Sequence, residues 1–319
     1  MAIWMIVHAH RRLRSRSRRW LLYPVIATLV LASLGGGYET VRGALDANAY
    51  PIPGQLIDVG GHSLHLYCTG SGSPTVVLEP GGGEMSSSFG WIAPAVARQT
   101  RVCVYDRAGR GWSEPADSPQ DARQIATDLH TLLDRGDVPG PYVLAGHSFG
   151  GLYALTFAAR YPNDVAGMVL VDSTAPASAA NAGATSLGDE GSYDIVGRVS
   201  ALVSTSAQLG LARLIGQSAS QARSTVDEYV QATASMSQAA SLGDFADKPL
   251  VVLTAGSGSD ADWSAAQNDM ANLSTNSAHR VIDGATHASL IHDEDDSGTT
   301  TRAILDVVSS VRSAGALVR

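Results

Sequence analysis

The chain has 319 residues, of which 45% are apolar and 16% charged. That excludes a disordered tail and leaves room for one large domain or two modest ones. The formal net charge is −8, yet Arg11, Arg12, Arg14, Arg16, Arg18 and Arg19 all precede the first acid, Glu39, so the main body is strongly acidic and offers nucleic acid no broad basic footprint.

Residues 1–19 form a basic segment, expected to stay cytoplasmic. Residues 20–37 follow, apolar from Leu21 to Leu34 except at Pro24, Thr28 and Ser33. They read as a transmembrane anchor or as an export signal, and the anchor is preferred. The "SRRWLL" run, Ser17 to Leu22, resembles a twin-arginine signal, and "ANA", Ala47 to Ala49, offers small residues for cleavage. Either reading puts the main domain outside the cytoplasm. Residues 38–54 are a tether closing in a proline-rich turn.

From residue 55 the pattern changes. "GQLIDVGGHSLHLYCTG" alternates around Gly60-Gly61 and predicts a β-hairpin. "PTVVLEPGGG" and "TRVCVYDRAGRGWSE" each begin as a short buried strand. "SPQDARQIATDLHTLLDRG" predicts a helix capped by Ser118, stopped by Gly136, with Ile125, Leu129, Leu132 and Leu133 on one face. "PYVLAG" is a strand and "SFGGLYALTFAARYP" a helix. "DVAGMVLVDST", "KPLVVLTAG" and "SAHRVIDGATH" hold three further strands, and "SGTTTRAILDVVSSVRSA" closes the chain as a helix behind four acids, Asp293 to Asp296. Val- and Leu-rich strands alternating with helices predict an α/β fold with a mainly parallel sheet covered on both faces. Residues 174–247, rich in Ala, Ser, Gly and Gln, have no strand-like run and are too long for a plain loop. They read as an inserted helical cap within a domain spanning 55–319.

One motif carries chemistry. Strand, then Gly146-His147-Ser148-Phe149-Gly150, then helix, is the context that a G-x-S-x-G nucleophile requires. The turn is so tight that a side chain at 146 or 150 would clash, and the following helix aims its N-terminal amides at Ser148. No zinc-like Cys/His spacing and no phosphate loop occurs, and catalysis through a serine nucleophile needs neither metal nor organic cofactor.

Four segments in order, "VYDRAGRGWSE" (104–114), "GPYVLAGHSFGG" (140–151), "YPNDVAGMVLVDS" (161–173) and "GATH" (284–287), make residues 55–315 resemble the α/β-hydrolase superfamily. The resemblance implies an eight-stranded, mostly parallel sheet with a helical cap, and hydrolysis through a serine ester. It makes Ser148 the nucleophile and His287, after the last strand, its base; His292 is the rival. It leaves the acid open. Asp172 ends the strand "GMVLVD", a position some relatives use and the one preferred here, while Asp260, with Asp262 behind it, follows the next strand in the commoner location. Two amides must hold the oxyanion. Phe149 supplies one, and Gly82, with Gly83 second, supplies the other. Many relatives have His-Gly where this chain has Pro80-Gly81, which leaves the anchoring of that loop unexplained. Asp106-Arg107 resembles a structural turn. In the family's strand order the strands of Cys68 and Cys103 are neighbours, so outside the cytoplasm these two are expected to form a disulfide, the alternative being two buried thiols.

The resulting expectation is a serine hydrolase acting on a small, apolar carboxylic ester, with amides and lactones less favoured. The alternative is a membrane-tethered, non-catalytic relative that binds a partner or lipid through its cap.

Overall fold

The computed structural model describes residues 51–176 and 218–317, with scattered positions between 34 and 49. The expected anchor at 20–37 lies almost wholly outside the described residues, as does much of the expected cap. Among the described residues no helix is long and apolar enough to cross a membrane.

Eight strands form one sheet: β1 Gln55–Asp58, β2 Ser63–Thr69, β3 Thr75–Glu79, β4 Val102–Asp106, β5 Tyr142–His147, β6 Val165–Val171, β7 Leu250–Ala255 and β8 Ser277–Ile282, in the order β1-β2-β4-β3-β5-β6-β7-β8. The β1–β2 hairpin and the β2–β4 pair are antiparallel, and every other pair is parallel. The expected α/β-hydrolase sheet, eight-stranded and mostly parallel with helices on both faces, is therefore the observed one.

Strand periodicity explains the two-sided cover. Along β5, Val143 packs into one apolar cluster and Leu144 into the other, because successive side chains leave opposite faces. Numbering the described helices in chain order, α1 (Ile92–Ala97) and the closing helix α8 (Glu294–Ser313) cover the Val143 face with Ile92, Val96, Ile304 and Val307. α2 (Ala122–Arg135) and α3 (Phe149–Arg160) cover the other with Leu129, Leu132, Leu155 and Phe157. Between β6 and β7 stand α4 (Ala219–Val230) and α5 (Ala232–Ala239). After β7 comes α6 (Ala261–Ala271), and between β8 and α8 the short α7 (Ser289–His292).

Two helix starts differ from expectation: α8 begins at Glu294, capped by Asp293, so three of the four acids lie in its first turn, and α2 begins later than expected. Ser118 does not cap α2; Asp121 does, its carboxylate accepting the Gln124 amide at 2.9 Å. Tertiary docking decides this. The Gln120 amide is taken by Asp227 of α4 (2.8 Å) and the Ala122 amide by Ser235 of α5 (3.0 Å), which holds the preceding residues out of the helix.

Candidate active site

β5 ends at His147 and α3 begins at Phe149, so Ser148 is the whole turn, at φ 53°, ψ −123°. Both flanking glycines are required by space. A Cβ on Gly146 would lie 2.5 Å from the Gly150 carbonyl oxygen, and one on Gly150 would lie 2.3 Å from that of Glu79. The Ser148 amide donates to the Val171 carbonyl at 3.1 Å, tying the turn to the end of β6.

Asp172 follows β6 immediately and is buried. One carboxylate oxygen, Oδ2, accepts from His287 Nδ1 at 2.6 Å. The other accepts from the Ala255 amide (3.1 Å) and from Trp263 Nε1 (2.8 Å) on α6. Burial pushes this carboxyl up, but the hydrogen bonds from His287, Trp263 and Ala255 outweigh it and hold it below its ordinary value. With Nδ1 engaged, Nε2 is the His287 nitrogen left to accept a proton. The His287 side chain is about half exposed.

Asp260 stands elsewhere. It caps α6 by accepting the Trp263 amide at 2.7 Å, and Asp262 lies in that helix's first turn. Neither is bonded to His287. His292 ends α7 and faces Glu84 across 3.2 Å, not Asp172. Among the described residues no hydrogen bond joins Ser148 Oγ to His287. The two are brought to one rim by His147, whose ring centre lies 4.5 Å from that of His287 and whose Nε2 meets the His287 carbonyl at 3.0 Å. Proton-transfer hydrogen bonds often tighten only when substrate is present.

The glycine loop after β3 has its amides divided. Gly81 donates to Glu84 Oε2 at 2.7 Å, and Gly83 donates to Glu228 Oε2 at 3.1 Å. Gly83, expected as the second-choice oxyanion donor, is thus occupied. Neither the Gly82 amide nor that of Phe149, the first residue of α3, donates to any group among the described residues. These two lie close together, since a Cβ on Gly82 would sit 3.1 Å from the Phe149 ring. Two free amides beside a serine can hold an oxyanion.

Beneath the loop lies a buried ionic cluster. Arg107 donates to Glu79 (2.9 Å), to Glu228 (2.7 Å) and to the carbonyls of Pro80 (2.6 Å) and Gly81 (2.7 Å). Arg110 adds a 2.7 Å bond to Glu228. Burial penalises the Glu228 charge, but Arg107 and Arg110 outweigh it and hold its carboxyl low. Glu79 is pushed up to about 7, chiefly by burial. Asp106, expected as part of a structural turn, accepts from the Ser86 amide (2.8 Å) and pairs with buried His65 (2.8 Å).

Glu84, Glu228 and Trp263 are not evident in the sequence, and His147 is evident there only as part of the serine motif. Their partners are remote in the chain, so no local pattern marks them. The one available signal was Glu79 and Glu84 bracketing the glycine run. Cys68 and Cys103 sit opposite each other on β2 and β4 and form a disulfide. Among the described residues no cluster of three His, Cys, Asp or Glu side chains is placed to hold a metal ion.

Residues 74–196 match the family described as the alpha/beta hydrolase fold. An uncharacterized protein, C23C11.06c, of Schizosaccharomyces pombe is 37% identical over 154 residues, which cover 39% of this chain and 29% of that protein. The chain thus spans less than a third of that relative's length. Among solved structures, a thermophilic esterase from Thermogutta terrifontis superimposes with a TM-score of 0.59 at 21% identity, covering 81% of this chain and 99% of that one. The enol-lactonase from Burkholderia xenovorans LB400 does so with a TM-score of 0.59 at 20% identity, covering 80% and 100%. At such identities these likenesses speak to the fold. The chain has the α/β-hydrolase fold, and its segment 74–196 carries that family's sequence pattern.

Proposed function

We propose that this protein is a serine hydrolase that cleaves a carboxylic ester through a covalent acyl-enzyme. The observation that carries the reading is the 2.6 Å bond from His287 Nδ1 to buried Asp172, on the rim that also bears the Ser148 turn. Ser148 Oγ attacks the ester carbonyl while His287 Nε2 takes its proton. Asp172 fixes the ring's tautomer and stabilises the imidazolium. The Gly82 and Phe149 amides hold the oxyanion. His287 then returns the proton to the departing alcohol, and water, activated by the same ring, releases the acid and restores the serine.

The rings of Phe149 and exposed Tyr229 of α4 lie 5.3 Å apart, tilted at 51°, beside the loop, which favours an apolar substrate over a charged one. The resemblance in fold to an esterase and an enol-lactonase supports hydrolysis at an acyl carbon. The Cys68–Cys103 disulfide supports a domain held outside the cytoplasm, with residues 20–37 as its anchor or export signal.

A fluorophosphonate probe tests the reading. The folded protein should acquire one adduct, at Ser148, and Ser148→Ala should acquire none. No adduct on the wild type, or an adduct surviving in Ser148→Ala, gives the case to the non-catalytic binding protein. An ester panel of graded acyl length then defines the pocket.

A further inference from the structure

Glu84 joins three separate parts of the site. Its Oε2 accepts from the Gly81 amide of the glycine loop (2.7 Å) and from His147 Nδ1 (3.1 Å). Its Oε1 faces His292 Nε2 at the end of α7 (3.2 Å). His147 in turn reaches the His287 carbonyl through Nε2 (3.0 Å), and its side chain is 2% exposed. A Cβ at 81 would lie 2.7 Å from Glu84 Oε2 and 2.9 Å from His147 Nδ1, so a side chain there would push the pair out of place.

We infer that Glu84 and His147 form a second carboxylate–histidine pair, a positioning unit that clamps the glycine loop and the His287 segment against the Ser148 turn. The inference rests on the serine-hydrolase reading for its kinetic consequence, but not for its chemistry. A carboxylate and a peptide carbonyl both only accept hydrogen bonds. Both ring nitrogens of His147 face such acceptors, at 3.1 and 3.0 Å, so both hydrogen bonds form together only when each nitrogen carries hydrogen. Burial raises the Glu84 carboxyl, but the hydrogen bond and charge of His147, the Gly81 amide and the charge of His292 outweigh it and set it at about 2, so Glu84 remains ionised. Neither residue touches the reacting atoms. Together they fix Gly81, and hence the aim of the next amide, Gly82, and they fix the backbone of His287. With Arg107, which holds the Pro80 and Gly81 carbonyls, they anchor the loop where Pro80-Gly81 replaces the His-Gly of many relatives.

The experiment uses the full chain, its Glu84→Gln variant, p-nitrophenyl butyrate as substrate and nitrogen NMR of the histidine rings. In Glu84→Gln, kcat should fall about 10- to 100-fold through misplacement of the oxyanion donor. KM should stay within about twofold, since ground-state binding is untouched. In the wild type the His147 ring should show both nitrogens protonated, and in Glu84→Gln one neutral tautomer. Undiminished kcat in a folded Glu84→Gln, or a neutral His147 ring in the wild type, overturns the inference. If the wild type neither turns over the ester nor labels at Ser148, the hydrolase reading has failed, and the ring nitrogens alone still decide the clamp. They decide it equally if Glu84→Gln does not fold.

Discussion

Ser148 and Asp172 both hold a left-handed backbone, at φ 53° and 42°, and they follow the paired residues His147 and Val171 at the ends of the neighbouring strands β5 and β6. Two non-glycine residues side by side in this region cost about 1–3 kcal/mol each. The Ser148 amide is bonded to the Val171 carbonyl and the Asp172 amide to the Leu253 carbonyl at 2.7 Å, so the sheet ends impose both conformations. Strain is therefore stored at the two residues proposed as nucleophile and orienting acid.

Ser148→Gly should consequently be inactive and yet more stable. Glycine adopts positive φ without the Cβ penalty, against a greater unfolded-state entropy that costs roughly 0.5–1 kcal/mol on folding. The net gain should be about 1 kcal/mol, a rise in Tm of about 2 °C by calorimetry. Ser148→Ala, which keeps the strain, should lose activity without that rise. Equal melting temperatures for the two variants would mean that the turn is not strained.

Asp172 and Asp260 should separate cleanly by mutation. Asp172→Asn forces the wrong His287 tautomer and should lower kcat by about 10³- to 10⁴-fold. Asp260→Ala removes a helix cap and should cost about 1 kcal/mol in urea denaturation with kcat nearly intact. The pH behaviour follows from the same contacts. The folded Asp172 carboxyl lies below its ordinary 3.8, so its stabilisation is fully present above about that pH and is lost as pH falls through the lower folded value. Asp172→Asn should remove that acid-side loss.

Glu79 predicts a slope of the opposite sign. Its folded value, about 7, lies above the ordinary 4.5, so between those values the native state binds the proton that the unfolded chain has released. Stability should fall as pH rises from about 4.5 to about 7, by up to about 3 kcal/mol, and level off beyond. Glu79→Gln keeps the shape and removes the titration. Urea midpoints against pH should be flatter in that variant, and an unchanged slope would mean that Glu79 is ionised throughout.

What the sequence disclosed depended on how locally each feature is encoded. The Ser148 turn is written in five consecutive residues, because the glycines on either side answer to contacts made within the turn and with β3. The sheet was legible from alternating strands and helices. The choice between Asp172 and Asp260 was not, since both follow strand ends and only the fold shows which is bonded to His287, 115 residues beyond Asp172. The start of α2 was misplaced by three residues because Asp227 and Ser235, more than 100 residues away, take the amides on which a local cap would depend. Glu84 was invisible for the same reason: its histidine partner is 63 residues off, and its role exists only once three loops meet.

The disulfide gives a prediction independent of catalysis. Cys68 and Cys103 close a loop of 35 residues between the antiparallel strands β2 and β4. Restricting the unfolded chain over that length is worth about 3–4 kcal/mol in the chain-entropy picture, and removal of a native disulfide typically costs about 2–5 kcal/mol. The double variant Cys68→Ala, Cys103→Ala also loses packing at Cys103, which is fully buried. Its urea midpoint should therefore drop by an amount equivalent to at least about 2 kcal/mol, with an unchanged or slightly larger dependence on denaturant as the unfolded chain expands. The bond lies two strands from β5, on the far side of β3, so kcat of the folded variant should be close to wild type. A reducing agent should lower the wild-type midpoint by a similar amount and leave the double variant unaffected. A wild-type midpoint indifferent to reduction would mean that the two thiols are not bonded in solution, and the support that this pair lends to a domain outside the cytoplasm would go with it.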